Sequence, residues 1–178
     1  MGPFLMSTML RSLDKELQEK VVKLIEACKE EKISIRLTSG LRTLDEQNKL
    51  WRQAFATKYI MNVAKNLRKD HCDYLADAIE RIGIQPSGRL VTKLHGGLSW
   101  HNWGKAADFA VQDKDGHVIK IASHPLLQDF GKIVKSIGLR WGGDFSFSDP
   151  LHVQLNPKEV THVYSMHQIN EHFKNIKG

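Results

Sequence analysis

The chain has 178 residues, 41% of them hydrophobic and 26% charged, and carries a formal net charge of +6. Those values describe an ordinary water-facing domain with enough apolar sequence for a core, and no apolar run reaches the roughly 18 residues that a membrane helix needs. The basic balance suits a polyanion such as nucleic acid, anionic lipid or a carboxylate- and phosphate-rich wall, yet it also lies within the range of plain solubility, so charge alone selects no partner.

The opening "MGPFLMSTML" has no basic start, long apolar centre or small-residue cleavage site, and Pro3 and Met6 break the myristoylation pattern. The expectation is synthesis in the cytoplasm without a signal peptide. Residues 13–30 read as an amphipathic helix, with Leu13, Leu17, Val21, Leu24, Ile25 and Cys28 at three- and four-residue steps and Ser12 as its cap. "ISIRLTSG" at 33–40 alternates as a half-buried strand stopped by Gly40. The stretch from Thr43 to Lys69 reads as one or two helices, with Thr43 and Glu46 spaced for a capping box. Within it, "WRQAFATKYIMNVAKNLRK" has an apolar stripe and a basic face, suited either to a membrane or wall surface or to core packing. "CDYLADAIERIGI" is helical, and "QPSG" at 85–88 is a loop.

"AADFAVQ" reads as a strand, "DKDG" at 113–116 as a hairpin turn and "HVIKIA" as the return strand. "PLLQDFGKIVKSIGL" is a helix with Pro125 in its first turn and Gly138 at its end. Gly142 and Gly143 force a turn, and "LHVQL" alternates as a short strand. In the tail, Asn156, Pro157 and Glu159 predict a helix start. Helices followed by short strands give an α+β class, a small antiparallel sheet flanked by helices. The two cysteines, Cys28 and Cys72, are expected to be reduced, buried thiols.

Two half-sites stand out. In "SWHNWGKAADF", His101 and Asp108 can meet at one ion only if the chain doubles back, because seven extended residues span over ~20 Å. Gly104 supplies the permissive backbone, while Ala106 and Ala107 leave room. An aspartate in an apolar strand is costly unless paired or metal-bound. In "SDPLHVQL", His152 shares a strand face with Gln154, and Asp149 lies three residues before it. A catalytic zinc takes three protein ligands and a water, and needs a carboxylate to move that water's proton. His101, Asp108 and His152 could serve as ligands and Asp149 as the base. A polar turn plus a hairpin histidine is the alternative on spacing alone. Arg42, after a strand end and a glycine turn, either holds a substrate carboxylate or oxyanion or is a surface arginine. Trp100 and Trp103 either wall a cleft or pack the turn. The remaining histidines read as surface or packing residues.

"SGLRT", "SWHNWGKAADF" and "WGGDFSFSDPLHVQL", in that order, resemble the zinc D-alanyl-D-alanine carboxypeptidase family, and most closely its L-alanyl-D-glutamate endopeptidase branch, over roughly residues 13–155. Ser99, His101, Gly104, Ala106, Asp108, Asp149 and His152 occupy positions of the family pattern. The resemblance implies Zn²⁺ on the sheet, held by His101, Asp108 and His152. It also implies Asp149 as general base and acid, and Arg42 on the substrate or oxyanion. The stretch around 55–85 is a helical insertion relative to the family, and Leu151 stands where the branch often has proline.

The expected organisation is one catalytic domain over 1–155 and a helical tail over 156–178, with no separate wall-binding module. The expected activity is cleavage of peptidoglycan at the L-alanyl-D-glutamate bond by a monomer, in the manner of a phage endolysin. It would act on the wall after the membrane is permeabilised, without membrane insertion and without nucleic acid as partner. A D,D-carboxypeptidase or dipeptidase of the same family, and a catalytically silent zinc-containing binding module, are the alternatives.

Overall fold

The computed structural model of the chain describes residues 8–83, 88 and 90–176. The first seven residues and most of the loop expected at 85–88 lie outside them. The chain forms two compact units, one from Met1–Leu41 with Trp103–Pro157, the other from Arg42–Asn102 with Lys158–Gly178.

The first unit contains helix α1 (Lys15–Glu30), strand β1 (Ser34–Ser39), strand β2 (Ala106–Gln112), helix α5 (Pro125–Ser136), and strands β3 (Arg140–Trp141) and β4 (His152–Gln154). Its sheet has the order β1-β2-β4-β3, and every pairing is antiparallel. The α+β class with a small antiparallel sheet is therefore as expected. Side chains alternate across β2. Ala107, Phe109 and Val111 face the core with Leu37, Trp141 and Val153, against Leu17, Val21 and Leu24 of α1 and Leu127, Phe130 and Val134 of α5. Asp108 belongs to the opposite set.

The cap of α1 is Asp14, whose carboxylate accepts from the Glu16 N–H at 3.0 Å. Ser12, the expected cap, instead donates its hydroxyl to the Met9 carbonyl at 2.7 Å. The expected return strand "HVIKIA" is also absent. Only an isolated bridge joins Gln112 to Val118, and the chain turns through Ile121 to His124 to begin α5. His124 caps that helix by accepting from the Leu126 N–H.

The second unit is built from α2 (Leu44–Arg52), α3 (Thr57–Lys69), α4 (Asp73–Glu80), the 3₁₀ turn Trp100–Trp103 up to Asn102, and α6 (Met166–Ile176). Thr43 and Glu46 form the expected capping box. The basic aromatic stretch turns its apolar stripe inward: Trp51, Ile60, Ala64 and Leu67 are buried with Leu75 and Ile79 of α4 and Ile169 of α6. Arg68 on α3 reaches Asp73, Asp77 and Glu80, which fastens α3 to α4. Asn156, Pro157 and Glu159 start no α-helix; only a short 3₁₀ turn, Val160–His162, follows Glu159. The last helix follows Ser165, whose hydroxyl accepts from the Gln168 N–H while the Gln168 side chain accepts from the Ser165 N–H. Among the described residues no helix is long and apolar enough to cross a membrane.

Candidate active site

Two groups of the expected site residues are assembled, one in each unit. In the first unit, Asp108 of β2 and His152 of β4 are directly opposed in the strand register. Opposed residues share a sheet face. Here that places His152 Nδ1 3.0 Å from Asp108 Oδ1. The strand carrying Asp108 is held at its edge by a register irregularity between Leu37 and Ser39 of β1, where the Thr38 hydroxyl donates to the Asp108 carbonyl at 3.0 Å. Such a bulge re-aims neighbouring side chains.

The far side of the His152 ring is also fixed. Nε2 lies 3.1 Å from Gln154 Oε1, and the Gln154 amide donates to the Asn156 carbonyl. Burial opposes a charge on His152, but the hydrogen bond and charge of Asp108, the Gln154 contact and the charge of Asp149 outweigh it. The His152 pKa therefore lies above the ordinary imidazole value.

Asp149 is set by backbone contacts. Its N–H donates to the Gly142 carbonyl at 2.9 Å, and its carbonyl accepts from the His152 N–H at 3.1 Å. Trp141 Nε1 donates to the Pro150 carbonyl at 2.9 Å, closing the same turn. Gly142 is required here, because a Cβ on it would come within 2.3 Å of the Asp149 carbonyl oxygen. Asp149 itself is exposed, so water reaches its carboxylate.

In the second unit, Arg42 and His101 are joined. The Arg42 N–H donates to the His101 carbonyl at 3.0 Å. His101 is buried on the 3₁₀ turn. Buried Asn102 donates to the Arg42 and Thr43 carbonyls at 2.8 and 3.1 Å and accepts from the Gly97 N–H at 2.9 Å. The Arg42 guanidinium donates to Gln47 Oε1 at 3.0 Å, and Gln47 is oriented in turn by the Leu94 carbonyl at 2.8 Å. Trp100 is a packing residue, donating to the Lys158 carbonyl at 2.8 Å and meeting Tyr164 edge-on. Gly104, immediately after the turn, has φ +67°, the left-handed conformation that reverses the chain toward β2.

Asn102, Gln47 and Gln154 escaped the sequence reading as supports. Gln154 shares a strand face with His152, which was the available signal. Asn102 adjoins His101 but follows no spacing rule.

The Asp108–His152 pair fits a zinc ion on donor chemistry. A neutral imidazole nitrogen and an ionised carboxylate oxygen are both acceptors, so at this separation they require a proton or a cation between them. Two donors around a tetrahedral Zn²⁺ with arms of about 2.0–2.2 Å stand about 3.4 Å apart, a few tenths of an ångström from what is found.

Residues 93–155 match the family described as D-alanyl-D-alanine carboxypeptidase. The chain is 31% identical over 134 residues to the peptidoglycan L-alanyl-D-glutamate endopeptidase CwlK of Bacillus subtilis (strain 168), covering 70% of this chain. The match spans 62% of that relative's length. Among solved structures, the Serratia marcescens L-Ala D-Glu endopeptidase ChiX matches with TM-score 0.44 and 15% identity over 85% of this chain and 86% of that one. The vancomycin resistance D,D-pentapeptidase VanY in complex with Zn(II) matches with TM-score 0.43 and 15% identity over 92% and 84%. The segment that matches the D-alanyl-D-alanine carboxypeptidase family, residues 93–155, carries His101, Asp108, Asp149 and His152.

Proposed function

We propose that the protein is a zinc-dependent peptidoglycan peptidase that cleaves the L-alanyl-D-glutamate bond of the wall stem peptide. The observation that carries this reading is the opposed pair Asp108–His152, with donor atoms 3.0 Å apart, inside the segment that matches the family. The endopeptidase activity named for the Bacillus relative supports the choice of bond. His101, Asp108 and His152 are the proposed ligands. Zinc held by them supplies a Lewis acid for the scissile carbonyl and for activation of water.

The chain's own residues do the rest. Asp149, exposed and hinged beside His152, accepts a proton from the attacking water and returns it to the departing amine. Arg42, steadied by Gln47, offers a guanidinium to a substrate carboxylate or to the oxyanion.

A D,D-carboxypeptidase is the second reading, because the matched family bears that description. One experiment separates them. Isolated sacculi are digested with the protein, with and without a chelator, and the released fragments are weighed by mass spectrometry. New amino termini on D-glutamate, abolished by chelator, support the endopeptidase. Loss of single D-alanine residues supports the carboxypeptidase. No release, or release insensitive to chelator, overturns both.

A further inference from the structure

We propose that Gln154 is a positioning residue that dictates which nitrogen of His152 faces Asp108 and the metal. The inference rests on the reading of Asp108 and His152 as zinc donors. It follows from three contacts and the donor–acceptor character of each atom. The Asn156 carbonyl can only accept, so the Gln154 NH₂ must face it. The Gln154 carbonyl oxygen is thereby turned to His152 Nε2, 3.1 Å away. That oxygen also can only accept, so Nε2 carries the hydrogen. On the neutral ring the lone pair is left on Nδ1, the nitrogen 3.0 Å from Asp108 Oδ1.

The chain of constraint runs from a backbone carbonyl through a side-chain amide to a ring tautomer. Gln154 is only 5% exposed, so water does not readily replace its contacts. A partner on the second nitrogen of a metal-bound histidine also raises the ligand's basicity and holds the ring plane. Gln154 does both without carrying a charge.

The test compares the full wild-type chain with Gln154→Met, which keeps the side-chain length and removes the strong acceptor. Zinc dissociation constants are measured by competition with a chromophoric chelator. Long-range ¹H–¹⁵N correlation spectra of the zinc-loaded protein identify the protonated nitrogen of His152. The expected results are a zinc dissociation constant raised about 10- to 100-fold in the variant, and a wild-type spectrum with hydrogen on Nε2 and metal on Nδ1. A folded variant with zinc affinity within about twofold of wild type overturns the proposal, as does a wild-type spectrum with hydrogen on Nδ1. Should the variant fail to fold, the wild-type spectrum decides alone. Wild-type protein that binds no zinc overturns the donor reading, and this proposal with it. Normal wild-type binding with an unaffected variant overturns this proposal alone.

Discussion

Asp108 and His152 face each other across β2 and β4, with Oδ1 and Nδ1 3.0 Å apart. The sheet register alone creates this pair, since a one-residue slip of β4 would turn His152 to the apolar face and away from Asp108. Asp108→Asn preserves shape and removes the negative donor. The expected outcome is a folded protein that leaves desalting with less than one zinc per chain and digests sacculi at least ~100-fold more slowly, since even outer partners of metal ligands are worth 10- to 100-fold. Metal analysis checks the first part and amine release the second. Stoichiometric zinc in the variant would remove Asp108 from the ligand set.

Gly142 is a second sensitive point. A methyl group there would lie 2.3 Å from the Asp149 carbonyl oxygen and 2.9 Å from His152 Cβ. Neither neighbour is the loose end of a flexible chain, so the turn that presents Asp149 must shift. Gly142→Ala is expected to cost about 1–3 kcal/mol of stability, as overpacking does. Turnover should fall by more than the loss of folded protein explains. Urea unfolding and activity per folded molecule measure the two separately, and unchanged turnover would show that the turn does not control the site.

How much of this was legible in sequence depends on the range of the interaction. The strand at 34–39, the Thr43–Glu46 box and the Pro125 helix start are local, and all three follow their residues. The tail did not. Asn156, Pro157 and Glu159 carry helix-start signals, but the carbonyls of Asn156, Pro157 and Lys158 accept from Gln154, Arg140 and Trp100. A helix would have used those carbonyls four residues on. The Ser165–Gln168 box, by contrast, was a readable local signal that the stronger Pro157 pattern concealed. In the site, residue types and spacing pointed to Asp108 and His152. Of their supports, Gln154 shares a strand face with His152, but its contact to the Asn156 carbonyl, like the contacts of Asn102 to the Arg42 and Thr43 carbonyls, follows no spacing rule.

Asn102 is the clearest case of such support. Its side chain serves the Arg42 and Thr43 carbonyls and the Gly97 N–H together. In Asn102→Ala the buried Gly97 N–H loses its partner, at about 1–3 kcal/mol for a buried group left unsatisfied, and the part-buried Arg42 and Thr43 carbonyls lose theirs as well. A lowered melting temperature is expected, together with weakened turnover, because Arg42 and the turn bearing His101 are then joined by the Arg42 N–H to His101 carbonyl bond without the Asn102 side chain. Calorimetry and sacculus digestion test this. A variant with wild-type stability would mean that these groups find other partners without cost.

Cys28 offers a chemical test of the first unit's core. It is fully buried on α1, and that burial pushes its thiol up to about 11. The thiolate is the reactive form. At pH 8 the native protein should therefore leave Cys28 unmodified by an aromatic disulfide reagent, and denaturant should expose it. Peptide mass mapping after short labelling identifies the site. Rapid native labelling at Cys28 would contradict the packing of α1 against the sheet.

His95 predicts how acid acts on the second unit. Its ring is buried edge-on to Trp51, with Nδ1 donating to the Gly96 carbonyl at 2.9 Å. Burial holds its pKa below the ordinary 6.5, and the Gly96 contact opposes this only in part. The sign follows from proton counting. Below the unfolded-state value near 6.5 the unfolded chain takes up a proton that the native ring refuses, so the unfolded state is favoured as pH falls. Above that value neither state is protonated and the effect vanishes. The cost grows by up to about 1.4 kcal/mol per pH unit until the native ring itself titrates. His95→Gln removes this term while retaining a donor for the Gly96 carbonyl. Urea unfolding of wild type and variant between pH 5 and 8 should show wild-type stability relative to the variant falling as pH falls, and the difference between the two proteins isolates His95 from the other histidines. A difference that stays constant with pH would mean that His95 takes up its proton as readily in the native protein as in the unfolded chain, so that its ring is not sealed from water.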